Sequence, residues 1–137
     1  MSQIILDDQL FDLEVLLPIA RWATVRRLRE LRPTEVIKDE RVPVLLRQLR
    51  HPTFVTIDMG FWRKGLRDIR YSILCFHLSN NEQDKLPDLL RALLRLTEFR
   101  SKNIRMGKVA RVAMGRVDYW QLGDESLHKL PWPTPPL

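Results

Sequence analysis

Thr53 to Trp62 reads TFVTIDMGFW. Phe54, Val55 and Ile57 are β-formers in a short apolar run broken by one threonine, and Asp58 followed by Met59-Gly60 does not continue readily as a buried strand. The run predicts a strand that ends at a carboxylate. Such a position matters in an open α/β sheet, because ligands bind in the crevice outside the carboxyl ends of the strands. An Asp-x-Gly also initiates turns, so Asp58 taken alone supports either reading. A second run has the same form: Ile4, Ile5 and Leu6 end at Asp7-Asp8. If the two strands are parallel neighbours, their carboxylates converge. Carboxylates so placed repel one another unless a divalent cation lies among them, which is how oxygen-rich Mg²⁺ and Mn²⁺ sites are built. Helix capping accounts for one of the Asp7-Asp8 pair and less readily for both.

The chain of 137 residues is long enough for one domain that buries about two thirds of its unfolded surface. Its single cysteine, Cys75, lies in the apolar run from Tyr71 to Leu78. It excludes an intrachain disulfide, cannot by itself support a cysteine-based zinc site, and fits a reducing cytoplasm. Asp7 and Asp8 stand where a secretory leader would have its apolar stretch, and no apolar run approaches the ~18 residues of a membrane span. A cytoplasmic protein with no membrane partner is expected. Lys and Arg number 23 against 17 Asp and Glu, a net charge of +6. A basic surface around an acidic pocket suits a polyanionic substrate held through a metal.

After Asp8, Pro18 suits the first turn of a helical segment. Ile19, Trp22, Ala23, Val25 and Leu28 then recur at roughly three and four residues between arginines, which predicts an amphipathic helix with a basic side. Thr34 to Ile37 is a short β-prone piece. Asp39 precedes Val42, Val44, Leu45, Leu46 and Leu49 at helical spacing, so it is either an N-cap or a site residue presented at a helix start. Tyr71 to Leu78 reads as a further strand, Ser79-Asn80-Asn81 as a turn or N-cap cluster, and Leu86 to Leu96 as the clearest helix. Met114-Gly115-Arg116 reads as a hairpin turn between two strands. Residues 123–137, with Pro131, Pro133, Pro135 and Pro136, read as an extended tail. These elements alternate in the manner of an α/β fold with a central, mostly parallel sheet flanked by helices in three layers.

Three segments of this layout resemble motifs of the PIN-like nuclease family, in its compact branch related to VapC-type toxins. Leu6-Asp7-Asp8-Gln9-Leu10 is similar to the family's Leu-Asp-Glu-x-Leu, Lys38-Asp39-Glu40 to its Asp-Glu before a helix, and Phe54 to Phe61 to its apolar-Thr-x-Asp-x-Asp-Phe. The resemblance spans about residues 3–120, within a domain taken as 1–122, and implies the PIN-like three-layer fold. It implies catalytic and metal-ligating roles for Asp7, Asp39 and Asp58, with Asp8 also at the metal, one or two Mg²⁺ or Mn²⁺ ions, and hydrolysis of RNA phosphodiesters. A cognate antitoxin and a homodimer are the partners it implies. The chain departs from the pattern at Gly60, where the family often has a further acid, and after the strand Tyr71 to Leu78, where Ser79 and Asn80 stand in place of the family's fourth-motif aspartate.

Arg63, Lys64 and Arg67, just beyond Asp58, are candidate RNA-phosphate contacts or simply a solvated basic loop. Phe61 and Trp62 suit base stacking or core packing. Two other functions fit the same residues. One is a receiver-type phosphoacceptor built on Asp7-Asp8, Asp58, Ser79 and Lys108. The other is a catalytically degenerate PIN-like module that binds RNA or protein.

Overall fold

A computed structural model describes residues 3–132. Seven strands form one sheet in the order β2-β1-β3-β4-β5-β6-β7. They are β1 (Gln3–Leu6), β2 (Thr24–Arg27), β3 (Pro52–Thr56), β4 (Ser72–Phe76), β5 (Lys108–Ala113), β6 (Arg116–Gln121) and β7 (His128–Pro131). The first five pair in parallel and the last two are antiparallel. The parallel part has the 2-1-3-4-5 order of flavodoxin-like doubly wound sheets, whose ligand crevice opens between β1 and β3.

The strands β3 and β4 are buried throughout, as apolar runs covered on both faces should be. One core packs Ile4, Leu6, Val55, Leu74 and Phe76 against a helical turn at Asp12–Leu16, α1 (Leu17–Ala20) and α4 (Leu86–Leu93). The other packs Ile5, Phe54, Ile73 and Cys75 against α2 (Leu28–Leu31), α3 (Val42–Arg47) and the short turn at Met59–Phe61. Ser79 caps the segment leading into α4, with Glu82 closing the capping box. A last short helix, α5 (Lys102–Arg105), leads into β5. The tight β5–β6 turn places Gly115 at φ +84°, a backbone region that glycine enters at no steric cost.

Three segments differ from the sequence expectation. The amphipathic helix expected from Ile19 to Leu28 is interrupted: α1 ends at Ala20, and Thr24–Arg27 is the edge strand β2, with Val25 opposite Ile4. Backbone pairing with β1 wins because only four residues are needed, and Arg27 is carried inward by its Nε donating to Asp12 Oδ1 at 2.9 Å. Thr34 to Ile37 joins no strand, and Val36 is 86% exposed. In the segment read as a tail, His128–Pro131 pairs with β6 as the seventh strand and Trp132 is buried. Pro133, Pro135 and Pro136 lie outside the described residues. Among the described residues, no helix is long and apolar enough to cross a membrane.

Candidate functional site

The pleat of β1 sends Ile4 and Leu6 to the α4 side and Ile5 to the α3 side, so Asp7 follows Ile5 toward the α3 side. By the same alternation Thr56 and Asp58 follow Phe54. Parallel pairing of β1 with β3 brings them together, with Leu6 opposite Val55. The Thr56 hydroxyl donates to Asp7 Oδ2 at 2.6 Å and accepts from the Asp58 amide at 2.9 Å. One threonine thereby ties both carboxylate-bearing loops. The Asp8 amide donates to Asp7 Oδ1 at 2.8 Å, and the Gly60 amide to Asp58 Oδ1 at 2.8 Å. Asp8 turns away far enough to accept from the Arg29 amide at 3.0 Å, in α2.

Burial pushes the Asp7 carboxyl above the ordinary carboxylate value. The Thr56 and Asp8 hydrogen bonds oppose this, while the charges of Asp8 and Asp58 add to it. Cys75, fully buried beside Thr56 on β4, is pushed up by burial and then by the charges of Asp58 and Asp7. For both groups burial is the larger cause, and the negative charge at the carboxyl ends of β1 and β3 adds to it.

Asp39 does not cap α3: it sits one turn ahead, in the turn Asp39–Arg41, exposed and with its carboxylate in no hydrogen bond or ion pair among the described residues. With Glu40, Pro43, Gly60, Phe61, Arg63 and Leu66 it lines a cleft of about 330 Å³ that borders the Asp58 loop. Among the described residues, no three His, Cys, Asp or Glu side chains are grouped so as to hold one metal ion.

The three basic candidates part company. Arg63 is exposed and opens onto that cleft. Lys64 pairs with Glu125. Arg67 donates to the carbonyls of Lys64 at 2.8 Å, Gln121 at 3.1 Å and Asp124 at 2.8 Å, so it staples the segment after β3 to the turn after β6. Phe61 is core, edge-on to Phe54 at 5.2 Å. Lys108 opens β5 at the opposite end of the sheet from Asp58, its Nζ donating to the Ile104 carbonyl at 2.7 Å. The receiver arrangement therefore has no lysine from this position, and the Ser79 hydroxyl is spent on Asn81 and Glu82.

Sequence reasoning missed Thr56, Arg111 and Asp118. Thr56, Cys75, Arg111 and Asp118 form one row across β3, β4, β5 and β6. Arg111 Nη2 donates to the buried Asp118 Oδ2 at 2.6 Å. The alternation of β5 could have marked Arg111 as lying on the Val109 side, but nothing local says that β6 supplies an acid opposite it.

No protein-family model matches the chain, and neither the curated proteins nor the solved structures provide a significant match. Its class rests on the architecture: an α/β protein with a seven-stranded, mostly parallel sheet and helical segments packed on it.

Proposed function

We propose that the chain is a metal-dependent ribonuclease with a PIN-like site, in which Asp7 and Asp58 are the principal ligands and Asp8 stands alongside. The observation that carries this reading is the tie from Asp7 through Thr56 to Asp58 at the β1/β3 crevice, with Asp7 pushed up by burial and by its acidic neighbours. The donor set fits a hard cation: oxygen ligands only, two carboxylates, and remaining positions for water and substrate phosphate, the usual manner of Mg²⁺. When bound, such an ion activates water and offsets charge developing on a phosphodiester.

The chain's own residues do the rest. Thr56 and the Asp8 and Gly60 amides fix the carboxylates, so that little reorganisation is needed on binding. Arg63, with no side-chain partner among the described residues and opening onto the adjoining cleft, is suited to a scissile or flanking phosphate. Asp39, exposed on the same cleft as Arg63, is the third acidic residue of the proposed set. A second reading, a catalytically silent module that binds RNA, is favoured by the lack of a three-ligand group among the described residues. Incubating RNA with the protein and Mn²⁺ beside Asp58→Asn separates them. The nuclease reading expects fragments from the parent and a large loss in the variant; intact RNA with the parent overturns it.

A further inference from the structure

The helical layer over β1 and β2 keeps an apolar stripe on its outer side. The turn at Asp12–Leu16 runs directly into α1, and the inward residues of this unit, Val15 and Ile19, have no exposed surface. Outward, at spacings of four and three, come Leu13, Leu17 and Ala20, which share one face of a helix. Leu13 is 74% exposed and Leu17 48%. A lone exposed leucine is ordinary, but neighbours one turn apart form a patch, and apolar patches rimmed by polar residues mark contact surfaces.

The two ends of the stripe carry opposite charge. At one end Glu14 shares a cleft of about 370 Å³ with Phe11 and Asp84. At the other Arg21 shares a cleft of about 280 Å³ with Trp22 and Arg91, where Asp88 is the carboxylate on the rim. The Arg91 guanidinium lies 5.8 Å from the Trp22 ring centroid. The side chains of Glu14, Asp84, Arg21 and Arg91 make no hydrogen bond or ion pair among the described residues. Glu14 and Arg21 stand seven residues apart, about 10 Å along a helix, and do not meet within the chain.

We propose that this outer face of α1 is the contact through which two copies of the chain associate. Turned by 180° about an axis beside Leu17, a second copy lays the same stripe antiparallel on the first. Leu17 then faces its own counterpart, Leu13 comes over the small Ala20, and Glu14 of each copy meets Arg21 of the other. Each pairing is made twice, because a twofold interface is self-complementary. A foreign surface of a single sign would satisfy one end of the stripe and repel the other, which is what favours a second copy as the occupant. The contact is one helical face, so it belongs at the weak end of protein interfaces and forms as concentration rises. The inference is independent of the nuclease reading. The stripe lies on the α4 side of the sheet, whereas Asp7 points to the α3 side, so association leaves the crevice open.

The test is sedimentation velocity of the full chain over a range of concentration, with circular dichroism melts to check that each variant is folded. The parent is expected to pass from monomer to dimer. Glu14→Arg and Arg21→Glu each put like charges opposite one another at both ends of the contact, and each is expected to weaken association roughly tenfold or more. Mixing these two variants restores opposite charges at both ends, as does the double variant Glu14→Arg/Arg21→Glu. Both are expected to recover the parent's affinity to within roughly threefold, a rescue that loss of stability or solubility would not produce. Leu17→Glu, which sets two carboxylates at the axis, is expected to leave only monomer. A parent that stays monomeric at every concentration would overturn the proposal. So would association that neither charge reversal disturbs, which would place the contact elsewhere, or single variants that fail to rescue each other.

Discussion

Asp7→Asn isolates the electrostatics of the crevice from its packing. Burial first, and then the charges of Asp8 and Asp58, hold the Asp7 carboxyl above its ordinary 3.8, against the Thr56 hydroxyl and the Asp8 amide. A carboxyl whose folded pKa exceeds its unfolded one contributes stability that is fully present below the unfolded value and is lost as pH rises through the folded value. Each tenfold by which the fold tightens the hold of Asp7 on its proton amounts to about 1.4 kcal/mol. Asparagine keeps the size and never ionises, so it escapes that loss. It retains an acceptor for one of the two hydrogen bonds that Asp7 accepts, and losing the other costs about 1 kcal/mol at any pH. In EDTA, urea unfolding should find the variant less stable than the parent at about pH 3. It should gain on the parent from about pH 4 upward, by about 1.4 kcal/mol for each such tenfold, levelling off once Asp7 is fully ionised in the fold. A difference that stays flat with pH, or a parent that gains on the variant, would refute the claim that Asp7 is ionised at a cost.

Thr56→Val removes the hydroxyl that donates to Asp7 and accepts from the Asp58 amide. It should destabilise the fold by roughly 1–3 kcal/mol and move the NMR titration of the Asp7 carboxyl carbon further upward; an unmoved titration would show that Thr56 does not govern the site. Leu93→Ala, at a position with no exposed surface on α4, should cost about 2–5 kcal/mol by urea unfolding. A cost near zero would mean that α4 does not pack on the sheet as described.

Much of this was legible in the residues. The strands β1, β3 and β4 announce themselves as apolar runs, and the first two, ending at Asp7 and just before Asp58, locate the crevice without any tertiary information. The Met114-Gly115 hairpin and the Ser79/Glu82 cap are equally local. The edge strand β2 was not legible, because a period of two over four residues is overwritten by the three-and-four spacing of Ile19, Trp22, Ala23 and Val25. What decides it is a row of backbone bonds to β1 that sequence does not display. The strand β7 was hidden by the prolines that end and follow it in the sequence, Pro131, Pro133, Pro135 and Pro136. At the site, Asp7 and Asp58 could be paired only on the condition that their strands are parallel neighbours, which the β1–β3 pairing meets. The roles of Lys64 and Arg67 could not, since Glu125 and the carbonyls of Gln121 and Asp124 reach them from a distant turn. The stacking of Trp62 on Trp120 is another contact between remote segments: Trp62 stands out as a ring suited to stacking or packing, but nothing near it points to Trp120.

The central claim is that Asp7 and Asp58 together hold a divalent cation. Thermal unfolding of the parent and of Asp58→Asn, each titrated with Mn²⁺ from an EDTA-treated start, tests it most directly. Ligand that binds only the folded state stabilises by mass action, about 2.7 kcal/mol at a hundredfold excess over Kd. The account predicts a melting temperature that climbs with Mn²⁺ in the parent and climbs much less in Asp58→Asn. A parent that does not respond, or a variant that responds just as strongly, would contradict it.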